Sequence, residues 1–182
     1  MPNRRSWRGG KMISVRRLAR EDAEAFRDIR RDGLAAHPEA FGADIEDEAA
    51  EPIKVWQDRL ETSIVFGAYG EKNLVGISGY YRRSGIKVAH VGVLWGLYVL
   101  NHARGRGVGR ALVEAVVRHA RTEVEQLSAS VTVTNEQVRA FYEALGFEAW
   151  GIQPRLFKVG GRYYDVVQMA LYFHQQGSVQ AN

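Results

Sequence analysis

Three alternate glycines set among arginines form the stretch of this sequence best suited to chemistry. Gly105, Gly107 and Gly109 follow a strand-like segment and open an apolar stripe at helical spacing. The first turn of a helix has unpaired backbone N–H groups and partial positive charge, which attract anions. Glycine lets a phosphate approach the backbone without a Cβ in the way, and neighbouring arginines add charge-assisted contacts. The predicted diphosphate site comprises Arg104, Gly105, Arg106, Gly107, Val108, Gly109 and Arg110.

Other phosphate-binding loops fit this stretch poorly. No Gly-Lys-Ser/Thr sequence ends it, so it is not a Walker loop. The spacing is not Gly-x-Gly-x-x-Gly, and the preceding strand belongs to an antiparallel meander, which removes the context of a dinucleotide fold. The simplest alternative is a glycine-rich turn with solvated arginines.

The elements that must position this loop follow from periodicity. Strand-like runs cover 13–18, 64–69, 74–82, 88–99, 127–133, 147–150, 156–159 and 163–172. Helical patterns cover 21–37, 53–60, 107–121 and 134–146, where Thr134-Asn135-Glu136-Gln137 resembles a capping box and Gly146 a C-terminal cap. The acidic segment 37–52 is predicted as a loop or broken helix. This order predicts one α+β domain with a mixed, mostly antiparallel sheet of about seven strands over 12–174, a disordered basic leader over 1–11 and a frayed polar tail over 175–182.

Composition excludes several classes of site. The 182 residues include no cysteine, which rules out disulfides, thiolate metal sites and a cysteine nucleophile. The five histidines are scattered, so no metal site is expected. No window of about 18 uncharged apolar residues exists for a membrane helix, and no secretory pattern follows the basic start. The expected compartment is the cytoplasm.

The net charge of +4 does not indicate a nucleic-acid partner. Four of the 25 basic residues lie in 1–11, which contains no acidic residue, so the rest of the chain carries 21 basic and 21 acidic side chains. The rest of the chain has balanced charge and no interleaved basic and aromatic residues, which counts against nucleic-acid binding. A basic leader that reaches a phosphate backbone remains an alternative.

Arg104-x-x-Gly107-x-Gly109 resembles the coenzyme A pyrophosphate loop of the GCN5-related N-acetyltransferase (GNAT) superfamily. Asn135, the run 140–143 (Ala-Phe-Tyr-Glu) and the Gly-Phe pair at 146–147 resemble the second half of that family's motif, at the expected distance. The element order is also similar to the family's, over 12–172. The resemblance implies α/β/α layers and a sheet with a V-shaped splay.

The resemblance also implies roles for individual residues. The pantetheine arm of acetyl-CoA, a cosubstrate, would lie between strand 95–99 and strand 128–133, bound by backbone groups of Leu97, Tyr98 and Val99. Gly96 is compatible with a bulge on the first strand. Asn135 would lie beside the pantetheine or serve only as a helix cap, and Phe141 would line the cofactor site from a core stripe with Val138 and Leu145. The hydroxyl of Tyr142, at the edge of that stripe, would protonate the departing thiolate.

The resemblance does not identify a general base in this sequence. Many members place a glutamate on the strand before the loop, but segment 88–99 contains no carboxylate. Three alternatives stay open: His90 through a water molecule, a neutral amine with bulk water, or a carboxylate from the acidic segment (Asp44, Glu46, Asp47 or Glu48).

The segments expected to recognise the acceptor contain no recognisable motif. Aromatic walls near carboxylates would suit a cationic amine, although such aromatics are core residues by default. The candidates are His37, Phe41, Trp56, Tyr80, Trp95, Phe157, Tyr163 and Tyr164. The sequence therefore predicts direct transfer of an acetyl group from acetyl-CoA to a primary amine of a small molecule or peptide in a ternary complex, without a metal. A catalytically idle acyl-CoA-binding module is the alternative, and a homodimer is compatible with either.

Overall fold

The computed structural model describes residues 5–6 and 12–173, and within them eight strands form one sheet in the order β1-β2-β3-β4-β5-β6-β8-β7. The strands are β1 (Arg5–Ser6), β2 (Met12–Arg17), β3 (Ile64–Gly70), β4 (Asn73–Arg82), β5 (Val91–Val99), β6 (Gln126–Thr132), β7 (Glu148–Val159) and β8 (Arg162–Tyr172). The α-helices are α1 (Ala23–Ala36), α2 (Ile45–Ala49), α3 (Ile53–Thr62), α4 (Val108–Ala120) and α5 (Glu136–Glu143). Neighbouring strands pair antiparallel except β5 and β6, which are parallel. The predicted α+β fold class is confirmed.

Two helical layers cover the two faces of this sheet. On one face, α1 and α3 bury Phe26 and Trp56, whose rings meet edge to face at 5.4 Å, against Ile77 of β4. On the other face, α4 packs Val113 and Val116 against β6 and β8. Full burial of each such side chain contributes about 1.5–3 kcal/mol. The layers therefore hold the ends of β5 and β6 from both sides.

Three local predictions are corrected. The predicted strand 88–99 begins only at Val91, because 88–90 form a turn closed by hydrogen bonds from Val88 N to Gly85 O and from Val91 N to Val88 O. The predicted strands 147–150 and 156–159 are parts of one strand, β7. An edge strand tolerates the proline within it, Pro154, because the side facing away from β8 needs no ladder donor. The third correction is at α5, whose N-cap is Asn135 and not Thr134.

Most of the predicted leader and all of the predicted tail lie outside the described residues. Within the segment predicted as a leader, Arg5 and Ser6 pair with Ile13 and Met12 as strand β1. Across the described part of the chain, no helix is long and apolar enough to cross a membrane.

Candidate functional site

The ladder between β5 and β6 ends long before either strand does. Val91, Gly92 and Val93 pair with residues 126–128, and Val93↔Ser128 is the last pair. Beyond it, β5 continues for six residues and β6 for four without any pairing between them in the described structure. The strands therefore splay, as the resemblance implies, and leave a gap lined on one side by the backbone edge of β5.

A bulge marks β5 at the mouth of this gap. Ile77 of β4 pairs with Tyr98 and Gly79 with Trp95, so Gly96 and Leu97 together face a single β4 residue. Gly96 has φ +64°, a left-handed conformation that glycine adopts without strain. The bulge expected at Gly96 is present, and it interrupts the ladder between β5 and β4.

The glycine turn lies between the end of β5 and the start of α4. Gly107 is the N-cap of α4 with φ +79°, and it has no side chain to occupy the first N–H groups of the helix. A Cβ built on Gly105 or Gly107 would meet no heavy atom within 4 Å, so one side of the turn is open. A Cβ built on Gly109 would instead lie 3.6 Å from Cζ of Phe141. The turn thus combines open space with unpaired donors, which is the arrangement that an anion needs.

The arginines of the turn differ in what they contact. Arg104 donates from Nε to the carbonyl oxygen of Val99 (2.9 Å), and its guanidinium lies 5.5 Å from the ring centre of Tyr98. Arg104 therefore ties the turn to the end of β5. Arg106 is exposed, and Arg110 lies 3.9 Å from Glu114 on the next turn of α4.

Side chains of the predicted pantetheine strand point away from the gap into the core. Tyr98 lies on the α1 side and donates from its hydroxyl to Asp32 (2.7 Å), while Leu97 and Val99 pack on the α4 side. Burial and the adjacent Asp32 carboxylate raise the pKa of Tyr98. Val108 is buried with α4, so, like the strand residues, it offers a ligand only backbone groups.

Helix α5 borders the same region from the β6 side. Asn135 caps it by accepting from Val138 N (3.2 Å), and Phe141 reaches the first turn of α4 at Gly109. Tyr142 is the buried residue of this helix, whereas Val138, Phe141 and Leu145 are only partly buried. This corrects the expectation that Tyr142 lies at the edge of the stripe.

The burial of Tyr142 follows from the reversal of the chain after α5. Gly146, with φ +90°, folds the chain back so that Phe147 packs on the Tyr142 ring at 5.1 Å. Desolvation raises the pKa of Tyr142 well above its usual value, because a phenolate would be unsolvated there. No described residue forms a hydrogen bond with its hydroxyl. Tyr142 is therefore a protonated donor with no partner among the residues that the structure describes.

His90 does not belong to this gap. It lies in the turn before β5, where its carbonyl oxygen accepts from Glu125 N (2.9 Å), and it lines a cavity of about 650 Å³ with Arg82 and Glu123. Gly96 lies six positions further along the extended chain, a distance of about 20 Å. The geometry therefore removes His90 from the three alternatives for the base.

Most of the acidic segment points elsewhere as well. Asp44 caps α2 by accepting from Glu46 N (2.8 Å), and Glu46 and Asp47 are exposed. Glu48 is buried between two guanidinium groups, with its Oε2 3.1 Å from Arg30 Nε and its Oε1 3.3 Å from Arg59 Nη1.

Arg30 occupies the aromatic wall that the sequence suggests for a cationic acceptor. Its guanidinium carbon lies 5.1 Å from the ring centre of Phe41 and 5.6 Å from that of Trp95. Two other candidates are core residues: Trp56 is fully buried, and Tyr80 faces the α4 side, where its hydroxyl donates to Glu123 (3.1 Å). The remaining candidates lie around the 37–42 loop and at the β7–β8 hairpin: His37 approaches Arg104, Phe157 approaches Gly42, and Tyr163 and Tyr164 stack with Arg155 and Arg162.

Sequence reasoning missed Arg30 as a site residue. The available signal was a charged residue in the apolar stripe of α1, beside Ile29 and one helical turn after Phe26. A charge at such a position is retained only with a partner, and its partner Glu48 is 18 residues away.

Comparisons with known proteins agree with this geometry. The model of the family described as "Acetyltransferase (GNAT) family" matches residues 23–147. A 5-NmdU N-acetyltransferase of Pseudomonas phage PaMx11 is 39% identical over 59 residues, which are 32% of this chain and 41% of that protein. An L-methionine sulfoximine/L-methionine sulfone acetyltransferase of Pseudomonas aeruginosa is 26% identical over 122 residues, 66% of this chain and 64% of that protein. The chain thus spans less than two thirds of the length of either relative.

Solved structures share the fold. The structure of yncA from Salmonella typhimurium with its cofactor acetyl-CoA superposes with a TM-score of 0.75 at 19% identity, over 93% of this chain and 99% of that one.

Proposed function

Because the chain belongs to the acetyltransferase (GNAT) family, we propose that it transfers the acetyl group of acetyl-CoA directly to a primary amine of a small molecule or peptide in a ternary complex. The observation that carries this proposal is the gap beyond Val93↔Ser128, which opens beside the glycine turn of α4. A thioester arm with a diphosphate at one end matches these two features.

The residues fit acetyl-CoA in two places. The diphosphate would bind the first N–H groups of α4 at Gly107 and its neighbours, with Arg106 and Arg110 adding charge. The pantetheine amides would pair with the open edge of β5 at 97–99, as a third strand would. Because Val99 O already accepts from Arg104, we assign Arg104 a positioning role toward β5. Phe141 and Asn135 would border the arm from α5.

The transfer itself needs one bond made and one broken. The nitrogen lone pair of the acceptor attacks the thioester carbon, the C–N bond forms and the C–S bond breaks with its electron pair on sulfur. The nitrogen loses its proton to water, and the thiolate takes up a proton from water. A backbone N–H at the bulge would polarise the carbonyl as a fixed dipole. Tyr142 would donate a hydrogen bond to the departing sulfur. Its pKa is raised far above that of a thiol, about 8.5, so this donation stabilises the thiolate without requiring the phenol to ionise.

We assign no side chain as general base. Strand β5 carries no carboxylate, and both carboxylate oxygens of the buried Glu48 contact guanidinium groups, those of Arg30 and Arg59. The acceptor amine would therefore arrive neutral and release its proton to water after attack.

The test is thiol release from acetyl-CoA in the presence of an amine panel. Amine-dependent release, with the acetylated amine identified by mass spectrometry, supports the transferase. The missing carboxylate on β5 favours one alternative, an acyl-CoA-binding module without turnover. Tight acetyl-CoA binding with no amine-dependent release across amino acids, polyamines, aminoglycosides and peptides would favour that module and contradict the transferase.

A further inference from the structure

We infer that the amine acceptor carries a carboxylate, as an α-amino acid does, and that the guanidinium of Arg30 binds this carboxylate beneath the β5 bulge. The inference rests on the proposed function, whose acceptor it narrows. A carboxylate-bearing acceptor replaces the cationic acceptor suggested by the sequence, because the Arg30 guanidinium already lies against Phe41 and Trp95.

One nitrogen of the Arg30 guanidinium is available for a ligand. Its side chain is only 8% exposed. Nε and Nη2 point to Glu48, at 3.1 and 3.5 Å. No described residue accepts a hydrogen bond from Nη1, which would lie 3.4 Å from a Cβ built on Gly96. Nη1 is therefore a charged donor that the described residues leave available to an acceptor on a ligand.

The surroundings hold this guanidinium in place. Phe41 and Trp95 lie against it at 5.1 and 5.6 Å, and Glu48 fixes the opposite edge. Arginine so held presents a preorganised donor to a carboxylate, at little entropic cost on binding. A cationic acceptor would be repelled at the same position.

The position suits an amine adjacent to the carboxylate. Gly96 forms the bulge of β5, where the proposed function places the thioester carbonyl. A carboxylate held at Nη1 would therefore keep a nitrogen two bonds from its carboxyl carbon within reach of that carbonyl. The acceptor would bind between the bulge and the Phe41 wall.

Polar groups across the gap can receive the rest of the acceptor. Val93 and Ser128 are paired, and side chains alternate along strands, so Trp95 and Ser130 lie on the same face on opposite sides of the gap. The Ser130 hydroxyl donates to Gln168 Oε1 (2.8 Å). This pair favours a polar amino-acid side chain over an aliphatic one.

The experiment compares matched acceptors that differ only in the carboxylate. Each standard L-amino acid and L-methionine sulfone is assayed against its carboxamide, with spermidine as a carboxylate-free amine. We expect kcat/KM for the preferred acid to exceed that for its amide by about 10- to 100-fold, the range for a hydrogen bond to a charged group. Equal use of acid and amide, or preference for spermidine, would overturn the inference while leaving the transferase intact.

Variants locate the effect at Arg30. Arg30→Gln should bring the acid/amide ratio close to one, whereas Arg59→Gln removes the other guanidinium partner of Glu48 and should preserve it. If Arg30→Gln does not fold, Arg30→Lys keeps the charge and should still lower the ratio. A ratio that falls equally in Arg59→Gln and Arg30→Gln would contradict direct carboxylate binding.

A binding measurement separates this inference from the proposed function. Calorimetry on the protein saturated with CoA compares the affinities for an acid and its amide without turnover. Tighter binding of the acid supports Arg30 even if no acetylation occurs, in which case only the proposed function fails. Equal affinity contradicts the inference.

Discussion

Val93 and Ser128 form the last pair of the parallel ladder between β5 and β6, and two residues later on the same face Trp95 and Ser130 lie on opposite sides of an open gap. The pairing ends just before the β5 bulge at Gly96, whose left-handed backbone interrupts the register with β4. The backbone edge of β5 beyond Val93 is thus available to a ligand at the point where α1 and α4 hold the strand from its two sides.

Acetyl-CoA should protect this edge from hydrogen exchange. We expect the amides of residues 94–99 that do not bond to β4 to exchange more slowly when acetyl-CoA is bound, because its pantetheine would accept from them. The amides of 91–93, already in the ladder, serve as the internal control. Hydrogen-exchange mass spectrometry measures both. Unchanged exchange over 94–99 in protein saturated with acetyl-CoA would contradict binding in the gap.

Gly107→Ala should weaken acetyl-CoA binding by about tenfold or more, equivalent to about 1.4 kcal/mol. The new methyl group would occupy the open side of the turn, and calorimetry measures the loss. Gly161→Ala is the matched control, because Gly161 has φ +81° against +79° for Gly107 and also has no heavy atom near its Cβ position. Both variants should lose similar stability from left-handed strain, about 1 kcal/mol. An equal loss of affinity in both would show that the turn does not bind the diphosphate.

Tyr142→Phe should lower kcat by about 10- to 100-fold, the range for a hydrogen bond to a charged group, with little change in acetyl-CoA affinity. Tyr80→Phe removes another buried hydroxyl from the same hydrophobic cluster and should leave kcat unchanged. Steady-state kinetics and calorimetry together test both variants. A large loss of affinity with kcat intact would assign Tyr142 to binding instead.

The pH profile should show no loss of activity from ionisation of Tyr142 below pH 10. Burial raises the pKa of this phenol, so its protonated, donating form persists to higher pH than that of an exposed tyrosine. Profiles of kcat for the wild type and Tyr142→Phe should therefore share the same alkaline limb, at a lower plateau for the variant. An alkaline decline below pH 10 seen only in the wild type would contradict this assignment.

Asp22→Asn should destabilise the protein in a pH-dependent way. Asp22 accepts from both Nη atoms of Arg16 at 2.7 Å, and these bonds lower its pKa from 3.8 to about 2. The folded-state pKa is depressed, so the stabilisation is complete above about pH 4 and disappears as the pH falls toward 2. We expect the substitution to lower the free energy of unfolding by about 1–2 kcal/mol at pH 7, after allowance for solvent screening at the half-exposed Arg16.

Urea unfolding at pH 7, 4, 3 and 2 measures this loss. Asp58→Asn, which removes the exposed pairs of Asp58 with Lys54 and Arg20, should change stability little at every pH. A wild-type advantage over Asp22→Asn that persists unchanged at pH 2 would show that the pairing with Arg16 is not its source.

Local patterns predicted the features that depend on neighbouring residues. The glycine turn at 105–109 needs only a strand before it and an apolar helix after it, and the bulge needs a glycine within a strand. Both are properties of short segments, and the structure places them as expected at Gly107 and Gly96.

Features that depend on distant residues were beyond sequence reasoning. The pairing of Arg30 with Glu48 requires α2 to fold back onto α1, and the burial of Tyr142 requires Gly146 to return Phe147 to its ring. The continuity of β7 through Pro154 depends on pairing with β8. Periodicity contains none of this information, because it reports each element without its neighbours.

A thermal-shift titration with acetyl-CoA, CoA and ATP side by side tests the central claim most directly. A ligand at about 100 times its Kd adds about 2.7 kcal/mol to stability, which raises Tm by about 5–10 °C for a domain of this size. The account predicts such a rise with acetyl-CoA and CoA and none with ATP at equal concentration. An equal rise with ATP, or no rise with either form of CoA, would contradict the claim that the gap and the glycine turn form an acyl-CoA site.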